Sequence, residues 1–133
     1  MNKIITLLLG GAIGSLFRYL VAKYIPTTAF PWSVLVVNAI GCYFIGLLWH
    51  ASEVRHFSAD MKIFVFIGLF GAFTTFSTYA LETFDLLRIG RPFHAMLNFI
   101  LNNFIGVLMV LKGFITTKMI VSMTRTINNL IMH

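Results

Sequence analysis

Long runs without acidic or basic side chains recur along this 133-residue chain. A helix needs about 20 predominantly apolar residues to cross the hydrocarbon core of a bilayer. Four runs meet this requirement: Ile4–Ala22, which tolerates Arg18 near its end, Trp32–Trp49, Ile63–Leu81 and Pro92–Leu111. The first run lacks a small-residue cleavage pattern beyond it, so we expect it to stay in the mature protein rather than act as a signal peptide. The pattern predicts an all-α membrane protein with four transmembrane helices.

The connections between these runs are short, roughly residues 23–31, 50–61 and 87–92, and none has room for a soluble domain. We therefore predict one transmembrane domain over residues 1–115. The tail, residues 116–133, mixes Thr, Lys, Ser and Asn with Ile and Met. It either lies on the membrane surface or extends the last helix.

The third run contains polar residues at a depth where polarity is costly. Four hydroxyl residues stand in five positions, beside two glycines, in the segment GLFGAFTTFSTY at residues 68–79. A single Ser or Thr in a membrane helix usually bonds to a carbonyl of its own helix. Four clustered hydroxyls instead predict a break near the middle of the third helix. Such a break offers carbonyl oxygens to a cation on one side and N–H groups to an anion on the other.

Asparagines also occur at membrane depth. Asn38 lies deep in the second run, where an amide is costly unless it is used, and an interhelical hydrogen bond is its simpler role. Asn98 and Asn102 stand four residues apart on one helical face, which Gly106 continues. Asn103 points elsewhere, so we expect it to serve packing or a subunit interface.

Composition agrees with a membrane protein. The chain is 59% hydrophobic and 11% charged, whereas soluble domains carry roughly 25% charged residues. Its one cysteine, Cys42, allows neither a disulfide nor a cysteine-based metal site. Ten Lys and Arg against four Asp and Glu give a net charge of +6. Because these charges flank apolar runs, anionic membrane lipid is a simpler partner than nucleic acid.

The positive charges are almost evenly divided between the two membrane sides. The side of the termini and middle loop holds Lys3, Arg55, Lys62, Lys112, Lys118 and Arg125, and the other side holds Arg18, Lys23, Arg88 and Arg91. Without the two distant tail cations the count is four against four. A chain without an orientation preference can insert both ways, and opposite copies can pair about an axis in the membrane plane. The alternative is a single orientation that this count does not resolve.

The segment GAFTTFSTYALE, residues 71–82, closely resembles the central motif of the Fluc (CrcB) fluoride channels, which reads nearly G-x-x-T-T-F-S-T-F-x-x-E. GGAIGSLFRY at residues 10–19 and VNAIG at residues 37–41 resemble the first-span and second-span patterns of that family. The resemblance covers residues 1 to about 113. It implies an antiparallel, dual-topology homodimer with a central sodium ion, held by the backbone carbonyls of Gly71 and Thr74.

The resemblance also implies a fluoride pathway, through Asn38, Phe76, Ser77, Thr78, Tyr79, Asn98 and Asn102. Phe76 and Tyr79 match two family phenylalanines whose ring edges contact the ion. Tyr79 departs from the family, and its hydroxyl either donates to the ion or points into a neighbour. Arg18 either snorkels to the headgroups or enriches anions at a vestibule. For Glu82 we expect a structural hydrogen bond or a helix-end role.

Fluoride is small, strongly hydrated and only an acceptor, so its pathway must replace water with donors. Amides, hydroxyls and aromatic ring edges meet that need. This chemistry agrees with what the resemblance implies, a passive fluoride channel of the inner (plasma) membrane. The alternative, a small dual-topology multidrug or cation exporter, would need a carboxylate in the first span, and Ile4–Ala22 has none. An enzyme is not expected, because no His, Asp or Glu lies mid-span.

Overall fold

The computed structural model of the chain describes residues 2–26 and 28–131, and all regular structure within them is helical. The elements are α1 (Lys3–Tyr24), α2 (Trp32–Val54), α3 (Ala59–Lys62), a π-helix (Ile63–Leu69), α4 (Phe70–Phe73), α5 (Phe76–Arg88) and α6 (Pro92–Ile131). Four units are long and apolar enough to cross a membrane: α1, α2, the third span Ala59–Arg88, and α6. The predicted four-helix membrane fold is confirmed.

Polar caps and a tight turn set the ends of these helices. Asn2 Oδ1 accepts a hydrogen bond from Ile4 N at 3.0 Å at the start of α1, and Ser58 Oγ accepts one from Met61 N at 3.2 Å at the start of α3. Gly90 takes a positive φ of 75° between α5 and α6. Glycine adopts this conformation without steric cost, so the chain reverses between the third and fourth spans within a few residues.

Helices α2 and α6 run parallel and pack closely along their length. Gly46 lies against the backbone of Val110, and Gly113 against the backbone of Tyr43, so neither glycine has room for a Cβ. Thr117 Oγ1 donates to the Leu47 carbonyl at 2.8 Å. Small residues at crossings are how membrane helices approach each other without a hydrophobic driving force.

Helix α1 packs on the first half of the third span, where Gly10 and Gly14 approach the backbone of the π-helix and α4. The small interior core consists of Val37, Phe70 and Phe73. Most other large apolar side chains are exposed on the outside of the helices. This inside-out distribution suits a chain whose outer surface faces lipid.

The third span is broken near its middle, as predicted. Thr74 and Thr75 adopt extended backbone conformations, with φ/ψ of −82°/155° and −149°/115°, between the end of α4 and the start of α5. The π-helix that precedes α4 was not predicted, because its residues, IFVFIGL, are equally compatible with an α-helix. Segments of π-helix are rare and frequently occur beside functional sites.

The last helix continues well beyond its predicted end at Leu111. It has 40 residues, which at about 1.5 Å per residue make it about 60 Å long, roughly twice the hydrocarbon thickness. Of the two alternatives for the tail, the structure has the helix extension, and the helix passes residue 115 without interruption. Residues 1, 27, 132 and 133 of the predicted domain, loop and tail lie outside the described residues.

Candidate functional site

The side chain of Asn38 from α2 stabilises the break in the third span. Asn38 Oδ1 accepts a hydrogen bond from Thr75 N at 3.0 Å, and Asn38 Nδ2 lies 3.4 Å from the Thr75 carbonyl oxygen. In a continuous helix the Thr75 N–H would donate to the Gly71 carbonyl. Asn38 takes over this donor, so the interruption is stabilised by a specific partner rather than left unsatisfied.

Hydroxyl groups gather where α5 begins. Thr75 is the N-cap: its Oγ1 accepts from Thr78 N at 3.3 Å. The same oxygen lies 3.0 Å from Thr78 Oγ1 and 3.3 Å from Ser77 Oγ. The N-terminal end of a helix carries partial positive charge. Hydroxyl donors and N–H groups therefore converge at the break, an arrangement that favours an anion.

A chain of hydrogen bonds leads from the break into α6 and back to α5. Asn38 Nδ2 donates to Asn102 Oδ1 at 3.1 Å, and Asn102 Nδ2 donates to Asn98 Oδ1 at 2.8 Å. Asn98 Nδ2 then donates to Thr83 Oγ1 at 2.9 Å, and Thr83 Oγ1 donates to the Tyr79 carbonyl at 2.8 Å. Asn98 and Asn102 are both buried and share one face of α6. These amides position one another at the level of the break.

One cavity beside the break has a volume of about 210 Å³, and its walls include Asn38, Thr74, Phe76, Tyr79 and Asn102. The rings of Phe76 and Tyr79 meet edge to face, with centroids 5.3 Å apart and planes at 71°. Tyr79 is 5% exposed, whereas Phe76 is 75% exposed. The structure thus brings the two predicted ring edges and two of the predicted amides together at a cavity that opens on the outer surface.

A second cavity, of about 460 Å³, lies between α1, α2 and α5, and Arg18, Thr75, Thr78 and Glu82 are among its lining residues. Thr75 therefore lies on the walls of both cavities. The helix-end role expected for Glu82 was wrong, because α5 continues beyond it to Arg88. The structural hydrogen bond stays a prediction, since the Glu82 Oε2 is buried with no hydrogen-bond partner among the described residues.

Two predicted pathway residues line neither of these cavities. Ser77 is exposed, and its hydroxyl lies beside Thr75 Oγ1. Asn98 is 0% exposed, so its amide contacts other protein groups rather than an open space. Asn98 therefore belongs to the hydrogen-bonded support of Asn38.

Sequence reasoning missed two members of this network. Thr83 accepts from Asn98, and its position four residues after Tyr79 on the same face of α5 was a usable signal. Asn103, expected to serve packing or a subunit interface, donates through Nδ2 to the Tyr79 hydroxyl at 3.0 Å and to the Phe99 carbonyl at 2.7 Å. It therefore contacts a predicted pathway residue, while its role at a subunit interface stays a prediction.

A broken helix that meets buried amides at membrane depth is an arrangement of channels and secondary transporters. The four spans make the chain a multi-pass membrane protein. Residues 5–114 match the model of the family described as CrcB-like protein, Camphor Resistance (CrcB). The chain belongs to this family.

Several similar proteins carry the name fluoride-specific ion channel FluC. One, from Parabacteroides distasonis, is 41% identical over 128 residues, which cover 94% of this chain and 100% of the relative. One from Salinibacter ruber is 39% identical over 117 residues, covering 85% of this chain and 87% of the relative. One from a Shewanella species is 39% identical over 116 residues, covering 85% and 94%. The similarity extends over the whole membrane part of the chain.

Proposed function

We propose that this chain is a subunit of a fluoride-selective anion channel, and not an enzyme. The observation that carries the proposal is the broken third span of a CrcB-family chain, where Asn38 fixes Thr75 and hydroxyls converge at the start of α5. Relatives about 40% identical to it are named fluoride-specific ion channels. The protein lets fluoride cross the membrane down its electrochemical gradient.

The chemistry of the site suits a small anion that only accepts hydrogen bonds. Hydroxyls of Thr75 and Thr78 and the positive edges of the Phe76 and Tyr79 rings replace water around the ion. Arg18 lines the wide cavity that leads to these hydroxyls and raises the local anion concentration there. Because the groups at the break itself are neutral, the ion is attracted without being trapped.

The asparagines divide into two roles in this proposal. Asn38 lines the cavity of the ring pair and fixes the backbone at the break: its Oδ1 accepts from Thr75 N, and its Nδ2 donates to Asn102 Oδ1 and lies 3.4 Å from the Thr75 carbonyl oxygen. Asn102 also lines that cavity, and its Nδ2 donates to the Asn98 side chain and backbone. Asn98 and Asn102 therefore act mainly by fixing the orientation of the Asn38 amide.

A second copy of the chain completes the pathway as a homodimer. Phe76, Ser77 and Gly71 are exposed on the outer surface of the third span. A path half open to lipid would leave an ion without donors on one side. A Cβ built on Gly71 would meet only Phe66 O, at 3.7 Å. Within the single chain nothing requires a glycine at position 71, whereas a partner packed on this surface would require a small residue there.

A sodium ion at the centre of the dimer fits the donor set on this surface. The Gly71 carbonyl loses its usual helical donor to Asn38, and Thr74 is extended. Unwound backbone carbonyls are typical sodium ligands in membrane proteins. The carbonyls of Gly71 and Thr74 would hold the ion, which would supply positive charge that ties the two third spans together.

The physiological role follows from the acid chemistry of fluoride. Hydrogen fluoride crosses membranes as a neutral weak acid and dissociates in the less acidic cytoplasm, where the anion accumulates. An inside-negative membrane potential drives an anion outward through an open pathway. A passive fluoride channel therefore protects the cell against fluoride toxicity.

Ion efflux from liposomes tests the function. The purified protein should discharge a fluoride gradient and leave a chloride gradient almost intact, because its donors suit a dehydrated small anion. Equal permeation of both anions would refute selectivity, and transport of an organic cation without fluoride flux would favour the small multidrug exporter.

A matched pair of substitutions connects the flux to the break. Asn38→Leu should lower fluoride flux about tenfold or more, equivalent to roughly 1.4 kcal/mol, because it leaves the Thr75 N–H unpartnered. Asn128→Leu makes the same change on the exposed end of α6 and should keep the flux. Gel filtration of both variants checks that the assembly is intact. Equal flux from the two would remove Asn38 from the pathway.

A further inference from the structure

The extension of α6 beyond the family match forms a groove with the end of α2. The family model ends at residue 114, and the helix continues to Ile131. Beside it lies a cavity of about 410 Å³. Its polar and charged lining residues are His50 from α2 and Lys118, Ser122, Arg125, Thr126 and Asn129 from α6.

The cations in this groove share one face of α6. Lys118, Ser122 and Arg125 are spaced four and three residues apart, so their side chains project from one side of the helix. The Cα atoms of Lys118 and Arg125 are about 10 Å apart along the axis. None of the described residues that line the groove is acidic. Glu53 Oε2 lies 3.5 Å from His50 Nδ1 but is not part of the lining.

The groove lies at the depth of the lipid headgroups. The rings of His50 and Phe114 are 4.6 Å apart, which sets Lys118, one turn beyond Phe114, level with the end of α2. Trp49 precedes His50 and is exposed. Tryptophan is enriched at the boundary between hydrocarbon and headgroups. Lys118 is therefore placed at this boundary, with Arg125 farther out.

The same face of α6 becomes apolar toward the membrane interior. Phe104, Leu111, Lys118 and Arg125 follow at intervals of seven residues, a spacing that drifts by only about 20° per step on a helix. Phe104 is 67% exposed and Leu111 is 52% exposed. One continuous strip of the α6 surface thus carries exposed apolar side chains toward the membrane interior and cations at the level of the headgroups and beyond.

We propose that this groove binds the headgroup phosphate of an anionic phospholipid, whose acyl chain lies along Leu111 and Phe104. Arg125 offers a guanidinium fork to the phosphate oxygens, and Lys118 offers a point charge. Basic pockets at helix ends beside the membrane recognise anionic lipids in this way. The apolar strip below the cations distinguishes a lipid from a free anion, which would gain nothing from it.

Tryptophan quenching by brominated lipids tests the proposal, because the chain has two tryptophans at opposite ends of α2. The Trp32→Phe variant leaves as the reporter Trp49, which precedes the groove residue His50 in α2. In vesicles of phosphatidylcholine, brominated phosphatidylglycerol should quench Trp49 with a higher apparent affinity than brominated phosphatidylcholine. Each cation should contribute a factor of about five, so we expect a preference of about five-fold to 25-fold. Trp49→Phe leaves Trp32 at the other end, which should show no such preference.

Charge-matched variants in the Trp32→Phe background test whether Lys118 and Arg125 cause the preference for phosphatidylglycerol. Lys118→Gln with Arg125→Gln should reduce the preference to near unity, whereas Lys3→Gln with Lys62→Gln removes two exposed cations from the same membrane side and should retain it. An unchanged gel-filtration profile and unchanged Trp49 emission in pure phosphatidylcholine show that the fold survives. Equal quenching by both lipids, or a preference that persists in the first double variant, overturns the proposal.

Inorganic phosphate, added at constant ionic strength, separates a lipid site from a site for a free anion. Because the lipid tail contributes to binding, phosphate should leave the preference for phosphatidylglycerol unchanged. Loss of the preference on adding phosphate would assign the groove to a soluble anion and overturn the lipid assignment.

Discussion

At residue 79 a tyrosine stands where the family pattern has phenylalanine, and its hydroxyl has a partner within the chain. Asn103 Nδ2 donates to this hydroxyl at 3.0 Å. The ring still contacts Phe76 edge to face. The hydroxyl accepts this bond, which anchors the ring and leaves the hydroxyl proton available to another acceptor. Contact with a neighbour is observed, and donation to the ion stays the alternative that substitution decides.

Substitutions at these two rings separate an edge mechanism from a hydroxyl mechanism. Tyr79→Phe should keep most of the fluoride flux, because the ring edge survives and the loss is one hydrogen bond, about 0.5–1.5 kcal/mol of stability. Phe76→Ile keeps apolar bulk but removes the electropositive edge, so it should suppress flux. Single-turnover efflux from liposomes at matched dimer content measures both.

Phe104→Ile is the control for these variants, since it makes the same change at an exposed phenylalanine of α6. It should leave the flux close to that of the parent chain. A strongly reduced fluoride flux in Tyr79→Phe, together with a nearly normal flux in Phe76→Ile, would show that the hydroxyl donates to the ion and that Phe76 only packs.

At the residue scale, sequence reasoning found the polar positions but not all of their partners. The cost of a buried amide drew attention to Asn38, the four-residue spacing placed Asn98 and Asn102 on one face, and the family resemblance implied the pathway through all three. The contacts with Thr83 and Asn103 depend on how α5 and α6 are rotated against each other. Periodicity within one helix defines its faces, but it does not fix which face of a neighbour it meets.

At the scale of the elements, the local pattern predicted the break, missed the π-helix and left the length of α6 open between two alternatives. Clustered hydroxyls and glycines are a local signal, and the break follows from them. The π-helix has an ordinary apolar sequence, so nothing local distinguishes it. Lys112 interrupts the apolar run without ending the helix, because no proline follows it and Gly113 is used for packing against α2.

The crossing of α2 and α6 predicts different outcomes for two glycines on one face of α6. Gly113→Ala should destabilise the protein by about 1–3 kcal/mol, because its Cβ would overlap the backbone of Tyr43 and Leu47. Gly106 lies two turns earlier, and a Cβ there would stand 3.6 Å from Cys42 Sγ, an ordinary contact. Gly106→Ala should therefore be close to neutral.

Equilibrium unfolding in mixed detergent micelles measures the free energy of unfolding of both glycine variants. Both substitutions add one methyl group to the same helix, so intrinsic helix propensity affects them equally. Equal free energies of unfolding for the two variants would mean that the close approach at Gly113 does not limit stability.

For the molecule as a whole, the even distribution of charge bears on its orientation in the membrane. Helix α6 carries Arg125 on an extension beyond the headgroup boundary, so Arg125 adds little to the bias near the ends of the spans. With Lys118 at that boundary, the nearer cations number five on the side of the termini and four on the other side. Because this bias is only one charge, we expect copies of the chain to insert in both orientations, as the proposed antiparallel homodimer requires.

A reporter fused to the C-terminus should then appear on both sides of the membrane, and single added charges should shift its distribution. His56→Lys places a cation in the exposed loop on the side of the termini and should move the reporter toward the cytoplasm. Ala29→Lys places one in the exposed loop on the opposite side and should move the reporter outward. If the positive charges on the two sides are nearly balanced, one added charge changes the distribution of orientations. If the orientation is fixed, one added charge does not change it. If every copy reports one side and neither substitution changes that, the antiparallel homodimer is wrong for this protein, and its fluoride pathway must be closed by a parallel partner.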